Sequence, residues 1–150
     1  MATSDARAPR GSLIFAALLA GCSLWPDAGK SGAGHYAPPV SGRDCGVETQ
    51  EGINEAGRRC LLAAFEAGVP ATFVIRATTI EGDPFTRSYV VRGPGEVEII
   101  DDARADRFGG GNIESQRCNR LVPVAEWNRT QVFPDVMPDS VVFVEEGCEP

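Results

Sequence analysis

Apolar positions follow three successive regimes along the chain: an unbroken run at 13–20, a stretch without period, and then helical spacing giving way to alternation. Over 53–67, Ile53, Cys60, Leu61, Ala64 and Phe65 recur at spacings that share one helical face, while Glu55, Arg58, Arg59 and Glu66 fall on the other. The spacing predicts a helix there. Its ends are marked by Asn54 as N-cap with Glu55 in the first turn, and by Gly68 followed by Pro70 as a stop. Residues 72–80, 85–92, 96–101 and 113–119 are rich in β-branched and aromatic side chains and alternate at least partly, which predicts four strands. Gly82-Asp83-Pro84 and Gly93-Pro94-Gly95 supply the turns of a meander, a loop over 102–112 carries Gly109-Gly110-Gly111, and a last strand is expected at 141–144. Three prolines, Pro123, Pro134 and Pro138, make 121–139 an irregular excursion. One amphipathic helix and one single-faced meander hide their apolar surfaces most economically against each other. The expected fold is α+β, with one helix packed on an antiparallel meander of four to five strands.

The opening run does not belong to that core. Leu13 to Ala20 spans eight residues, well short of the ~20 that cross a bilayer as a helix. Arg7 and Arg10 precede it and the small Ala20-Gly21 pair follows, the three-part layout of an export signal over 1–21. Leu19-Ala20-Gly21-Cys22 resembles the lipobox of bacterial lipoprotein precursors, in which the thiol takes a diacylglycerol, the chain is cut before it, and the new amine is acylated. At ~0.8 kcal/mol per buried methylene, several acyl chains such as palmitate make a durable anchor. Cys22 is therefore the expected lipidation site, and the expected location is outside the cytoplasm, on a bacterial membrane. Residues 22–44 read as a Gly/Ala/Pro/Ser tether, because that composition buries too little surface to offset its ordering entropy. Gly29-Lys30-Ser31 is not a phosphate loop, since the full pattern needs glycine at position 24, where leucine stands. The folded domain is expected over 45–150.

Cysteine parity agrees with this division. With Cys22 lipidated, Cys45, Cys60, Cys118 and Cys148 remain, an even set suited to an oxidising compartment and open to three connectivities. About 105 residues make a small core, which two disulfides would supplement. Removal of 1–21 takes away Asp5, Arg7 and Arg10 and leaves twelve basic and twenty acidic residues, a net −8 that makes nucleic acid an unsuitable partner.

The inventory of chemistry is short. His35, the one histidine, lies in the tether, so a Ser-His or Cys-His pair is not available inside the domain, and paired cysteines leave no thiolate. No catalytic residue, metal site or cofactor is assigned on these grounds. Carboxylates remain. Glu81 and Asp83 lie two apart in the first hairpin turn, where Asp83 also suits a purely structural role of accepting from turn N–H groups. Asp101, Asp102 and Asp106 lack the alternate acids, central glycine and closing Glu of an EF-hand, and Arg104 and Arg107 interleave with them, which favours local ion pairs. Candidate binding residues are Glu81, Asp83, Asp102, Asp106, Arg107 and Phe108. Asn128-Arg129-Thr130 matches a glycosylation acceptor but carries little weight on a bacterial export route.

One series of motifs goes further. Thr79-Ile80-Glu81-Gly82-Asp83-Pro84, an aromatic-containing strand, Asp101 through Asp106-Arg107-Phe108-Gly109-Gly110, Cys118, and Phe143-Val144-Glu145-Glu146-Gly147-Cys148 follow in order. Together they resemble a family of small bacterial lipoproteins known as domain of unknown function 4362, over most of the chain from the helix onward. The family has no established activity to carry over. The resemblance does imply a pairing, Cys118 with Cys148 and Cys45 with Cys60, while the proline-rich insert after Leu121 has no counterpart in it.

Three functional expectations follow. The leading one is a non-catalytic envelope lipoprotein, attached to the membrane through its N-terminal lipid, that binds another envelope protein or a ligand through loops at one end of the sheet. A second is a small hydrolase of surface glycans, which needs Glu81 or Asp83 and a member of the 101–106 acids in one cleft, ~5–10 Å apart. A third is an inhibitor or scavenger module presenting an apolar patch, for which Trp127 and Phe133 are the residues to examine.

Overall fold

A computed structural model describes residues 42–131 and 137–150. The export signal, Cys22, the tether as far as residue 41, and Phe133 lie outside the described residues. The elements run β1 (Arg43–Thr49), α1 (Glu55–Ala67), β2 (Ala71–Thr78), β3 (Pro84–Gly93), β4 (Glu96–Asp102), β5 (Ile113–Pro123), α2 (Val124–Thr130), a 3-10 turn (Asp139–Val141) and β6 (Phe143–Glu149). All six strands form one sheet in chain order. β2 to β6 are the expected antiparallel meander, whereas β1 runs parallel to β2 through the α1 crossover. The fold is thus α+β with two disulfides and a mixed sheet, not a purely antiparallel one.

β1 is the main correction. It begins inside the stretch read as tether, and Gly46, at φ 93°, accompanies a register shift between Asp44 and Val47. The irregularity turns both Cys45 and Glu48 inward, three positions apart, so the period of two is broken where it would have been read.

Helix α1 forms where predicted, with Ile53 left outside it and exposed. Asn54 Oδ1 accepts from the Gly57 amide at 2.9 Å, and Gly68 closes the helix in the left-handed conformation, the Gly68 and Val69 amides bonding to Phe65 and Ala64 carbonyls. Gly57, Leu61 and Ala64 make the buried stripe. At Gly57 the helix lies so close to the sheet that a Cβ would sit 2.5 Å from Phe73 Cε2 and 2.7 Å from the Cys45 carbonyl oxygen. Under the helix a row of aromatic rings, Phe73, Tyr89 and Phe143, packs with Leu61, Val91, Val97 and Ile99. By register, Thr72, Thr86, Ser88, Val90 and Ile100 belong to the opposite face and are buried as well.

Cys45 joins Cys60 and Cys118 joins Cys148, the pairing that the family resemblance implied. One bridge staples β1 to α1. The other links directly opposed residues of β5 and β6, beside Gly147, where a side chain would collide with Asn119.

Three further boundaries differ. β2 ends at Thr78, leaving Ile80 wholly exposed in the turn. The segment read as irregular contains α2, a seven-residue helix that starts just after Pro123, where a missing N–H costs nothing. β6 begins at Phe143 and continues through Glu145, Glu146 and Glu149 as a charged edge strand. Asn128 is buried and its amide exchanges two hydrogen bonds with the Met137 backbone, at 2.9 and 3.3 Å. That role is structural, and it removes the side chain from use as a glycosylation acceptor. Among the described residues no helix is long and apolar enough to cross a membrane.

Candidate functional site

Two loops meet at one end of the sheet. The β2–β3 turn folds on itself through Thr79, whose amide donates to the Asp83 carbonyl at 2.8 Å and whose Oγ1 accepts from the Asp83 amide at 3.2 Å. Gly82 supplies the positive φ of 86° that the turn needs. Across from it, the β4–β5 loop is closed at its root by the Ala103 amide donating to the Asn112 carbonyl, and is shaped inside by Asp106, whose Oδ1 accepts from the Phe108 and Gly109 amides, both at 2.9 Å. At Gly109 a Cβ would meet Asp106 Oδ2 at 2.4 Å, so a larger residue there would displace the Asp106 carboxylate.

Asp83 clasps the two loops together. Its Oδ2 accepts from the Arg107 amide at 3.0 Å and its Oδ1 from Arg107 Nε at 2.8 Å. The backbone N–H of Arg107, ahead of its guanidinium, holds the Asp83 carboxyl below the usual carboxylate range, against the opposing pull of burial. The rest of Arg107 is open to solvent, with its guanidinium 5.7 Å from the Phe108 ring centre. Phe108 is 73% exposed and Ile80 100%. The clasp therefore joins the two loops into a tip that presents Ile80 and the Arg107–Phe108 pair to solvent. Ordered apolar and arginine groups of this kind are what protein interfaces use as anchors.

The six residues singled out from sequence sort as follows. Asp83, Arg107 and Phe108 come together, and Asp106 shapes their loop. Asp102, buried, accepts from the backbone and side chain of Arg104 at the loop's root, and that bond keeps Arg104 protonated more firmly than usual. Glu81 is exposed in the turn. Asp101 lies outside this group. Arg87, opposite it on β3, bonds both its oxygens at 2.8 Å, and this pairing raises the Arg87 pKa despite partial burial.

That arginine–carboxylate fork lines a cleft of about 500 Å3 together with Ile99, Glu114, Ser115, Gln116 and Pro150, and neither Glu81 nor Asp83 reaches it. Glu114 and Gln116 were not singled out from sequence. Their signal is pairing register, which places Glu114 opposite Asp101 and Gln116 opposite Ile99, and the residues alone do not state it. Nearby, the Tyr89 hydroxyl donates to Glu145 at 2.5 Å, and burial pushes its pKa up. Trp127, named in the inhibitor reading, is half-buried on α2. Among the described residues no three His, Cys, Asp or Glu side chains converge as metal ligands. No family model, no curated protein and no solved structure matches the chain.

Proposed function

We propose that this chain is a lipid-anchored envelope protein whose domain binds a protein partner through the tip formed by the β2–β3 and β4–β5 loops. One observation carries the reading. Ile80, Arg107 and Phe108 sit on the two loops that the Asp83–Arg107 bonds join, they remain exposed, and they lie at the end of the sheet remote from where the chain enters it. Arg43 starts β1 beside Ala71 at the start of β2, and the tip follows Thr78 at the far end of the same strand. Eight residues of strand separate the two ends, on the order of 25 Å at ~3.3 Å per residue. A lipid on Cys22 would thus hold the base towards the bilayer and the tip outward. Nucleic acid does not suit a body with this acid excess, and no cofactor is part of the proposal.

Site-specific photo-crosslinking tests it. A photoreactive residue at position 80, in membranes from cells making the full chain, should trap one discrete adduct that disappears in a Phe108→Ser background. The same probe at Arg59, exposed on α1, serves as the comparison. Identical adducts from both positions would sink the reading. The mass of the purified product, measured with and without reductant, checks the anchor independently by reporting the cut site and the acyl chains.

A further inference from the structure

The cleft beside Arg87 lies on the same sheet face as α1, but no residue of α1 lines it. Register sets Asp101 directly opposite Glu114 on neighbouring strands, where like charges repel. Arg87 neutralises Asp101 with a two-pronged bond. Glu114, exposed, receives one bond from the neutral Asn112 amide, at 2.8 Å, and forms no ion pair with another described residue. On the same face the Gln116 amide makes no hydrogen bond to another described residue, and Ile99, 1% exposed, forms an apolar floor. A volume of about 500 Å3 falls within the range of small-ligand sites. The arrangement is thus a concave site with an apolar floor, one carboxylate outside any ion pair, the Gln116 amide as open donor and acceptor, and the guanidinium N–H groups of Arg87 that Asp101 and Tyr89 leave over. Such a combination selects a cation on a short stem rather than an anion or a flat apolar molecule.

From this geometry we infer that the cleft binds a ligand carrying a protonated primary amine, with Glu114 as its counter-charge and Gln116 and Arg87 bonding the polar groups beside it. Two sources share that chemistry, a lysine side chain in a peptide and an amino sugar. The inference stands apart from the tip, since none of its residues belongs to the two clasped loops except through Asn112.

Acetylation removes the charge from both sources and leaves the rest of each molecule in place, so the test compares four probes on the full chain in detergent. They are an N-acetylated alanine-lysine-alanine amide, the same peptide with acetyl-lysine, glucosamine and N-acetylglucosamine. The readout is the NMR shift of the Arg87 Nε–H and Gln116 side-chain amide signals, with probes at about 10 mM, well above the Kd of a weak site. At least one amine should move these signals, with about tenfold or greater loss of affinity on acetylation, and the one that binds identifies the source. Glu114→Gln should abolish the shifts while leaving Tm equal or higher, because it removes the cross-strand repulsion. The inference is overturned if neither amine shifts the signals, if the acetylated forms act equally, or if Glu114→Gln binds as the parent does. A fall in Tm on that substitution would also overturn it, by assigning the charge to structure.

Discussion

At Gly57 a single methyl group decides how closely α1 lies on the sheet. Replacing it with alanine gains about 1 kcal/mol of helix propensity. It also drives a Cβ to within 2.7 Å of a backbone carbonyl that cannot step aside, and overpacking of this kind costs about 1 to 3 kcal/mol. The contact wins. Gly57→Ala should lower the urea midpoint by the equivalent of about 1 kcal/mol at unchanged m-value. A second residue-scale prediction concerns acid. Glu48 and Arg58 form a buried ion pair, bonded at 2.6 and 2.7 Å, with Glu48 also accepting from the Asn54 amide. The Arg58 hydrogen bond, larger than the opposing burial cost, holds the Glu48 pKa below its ordinary 4.5. A depressed carboxylate stabilises the fold fully above its unfolded pKa, and that contribution is lost as pH falls through the folded value. Stability of the parent should therefore drop below about pH 4.5. Glu48→Gln should flatten that drop, at a cost of about 3 kcal/mol at pH 7 for stranding Arg58, read by denaturant titration at several pH values. Local residue roles were legible in advance: Asn54 and Gly68 act within four positions of where they stand. The partnership of Asp83 with Arg107 spans 24 residues and depends on two loops landing side by side, which composition does not encode.

Between elements, the two disulfides differ in what they hold. Cys45–Cys60 closes 15 residues and fixes an edge strand to the helix, while Cys118–Cys148 closes 30 and fixes the other edge to the meander. Loop closure assigns about 3 to 4 kcal/mol to each. Replacing both cysteines of either pair with alanine should cost that amount. Hydrogen exchange should separate them, with added opening confined to β1 for the first pair and to β6 for the second. The same distinction explains which elements sequence revealed. α1, β2, β3 and β4 are rich in helix-spaced or β-branched apolar residues and supply most of the buried core. β1, the end of β6 and α2 lie at edges. There one face is enough, charges protect open hydrogen-bonding groups, and a glycine irregularity in β1 breaks the alternation. α2 escaped notice because its flanking prolines read as breakers, although Pro123 is the N-cap and lies outside the helical bonds that a proline would break.

For the whole molecule, the parallel β1 has a consequence that an antiparallel meander alone would not have. It makes the chain enter at the base of the sheet, beside the α1–β2 connection, where the Arg43 amide bonds the Pro70 carbonyl at 2.8 Å. An anchor at Cys22 leaves 21 residues before that point, with a root-mean-square span on the order of 25 Å for a flexible chain. On the proposed lipid anchoring, a span of that size is comparable to the strand length of the domain, and the base is expected nearer the bilayer than the tip on average. Val69, 42% exposed at the base, and Ile80 at the tip offer two labelling positions that differ chiefly in this distance. With the lipidated protein in vesicles carrying a headgroup quencher, a fluorophore at 69 should be quenched more than one at 80. Shortening the tether by ten residues should widen the gap, because a shorter chain permits less tumbling. Stronger quenching at 80 would place the tip on the membrane and convert Ile80 and Phe108 from a partner's contacts into lipid contacts.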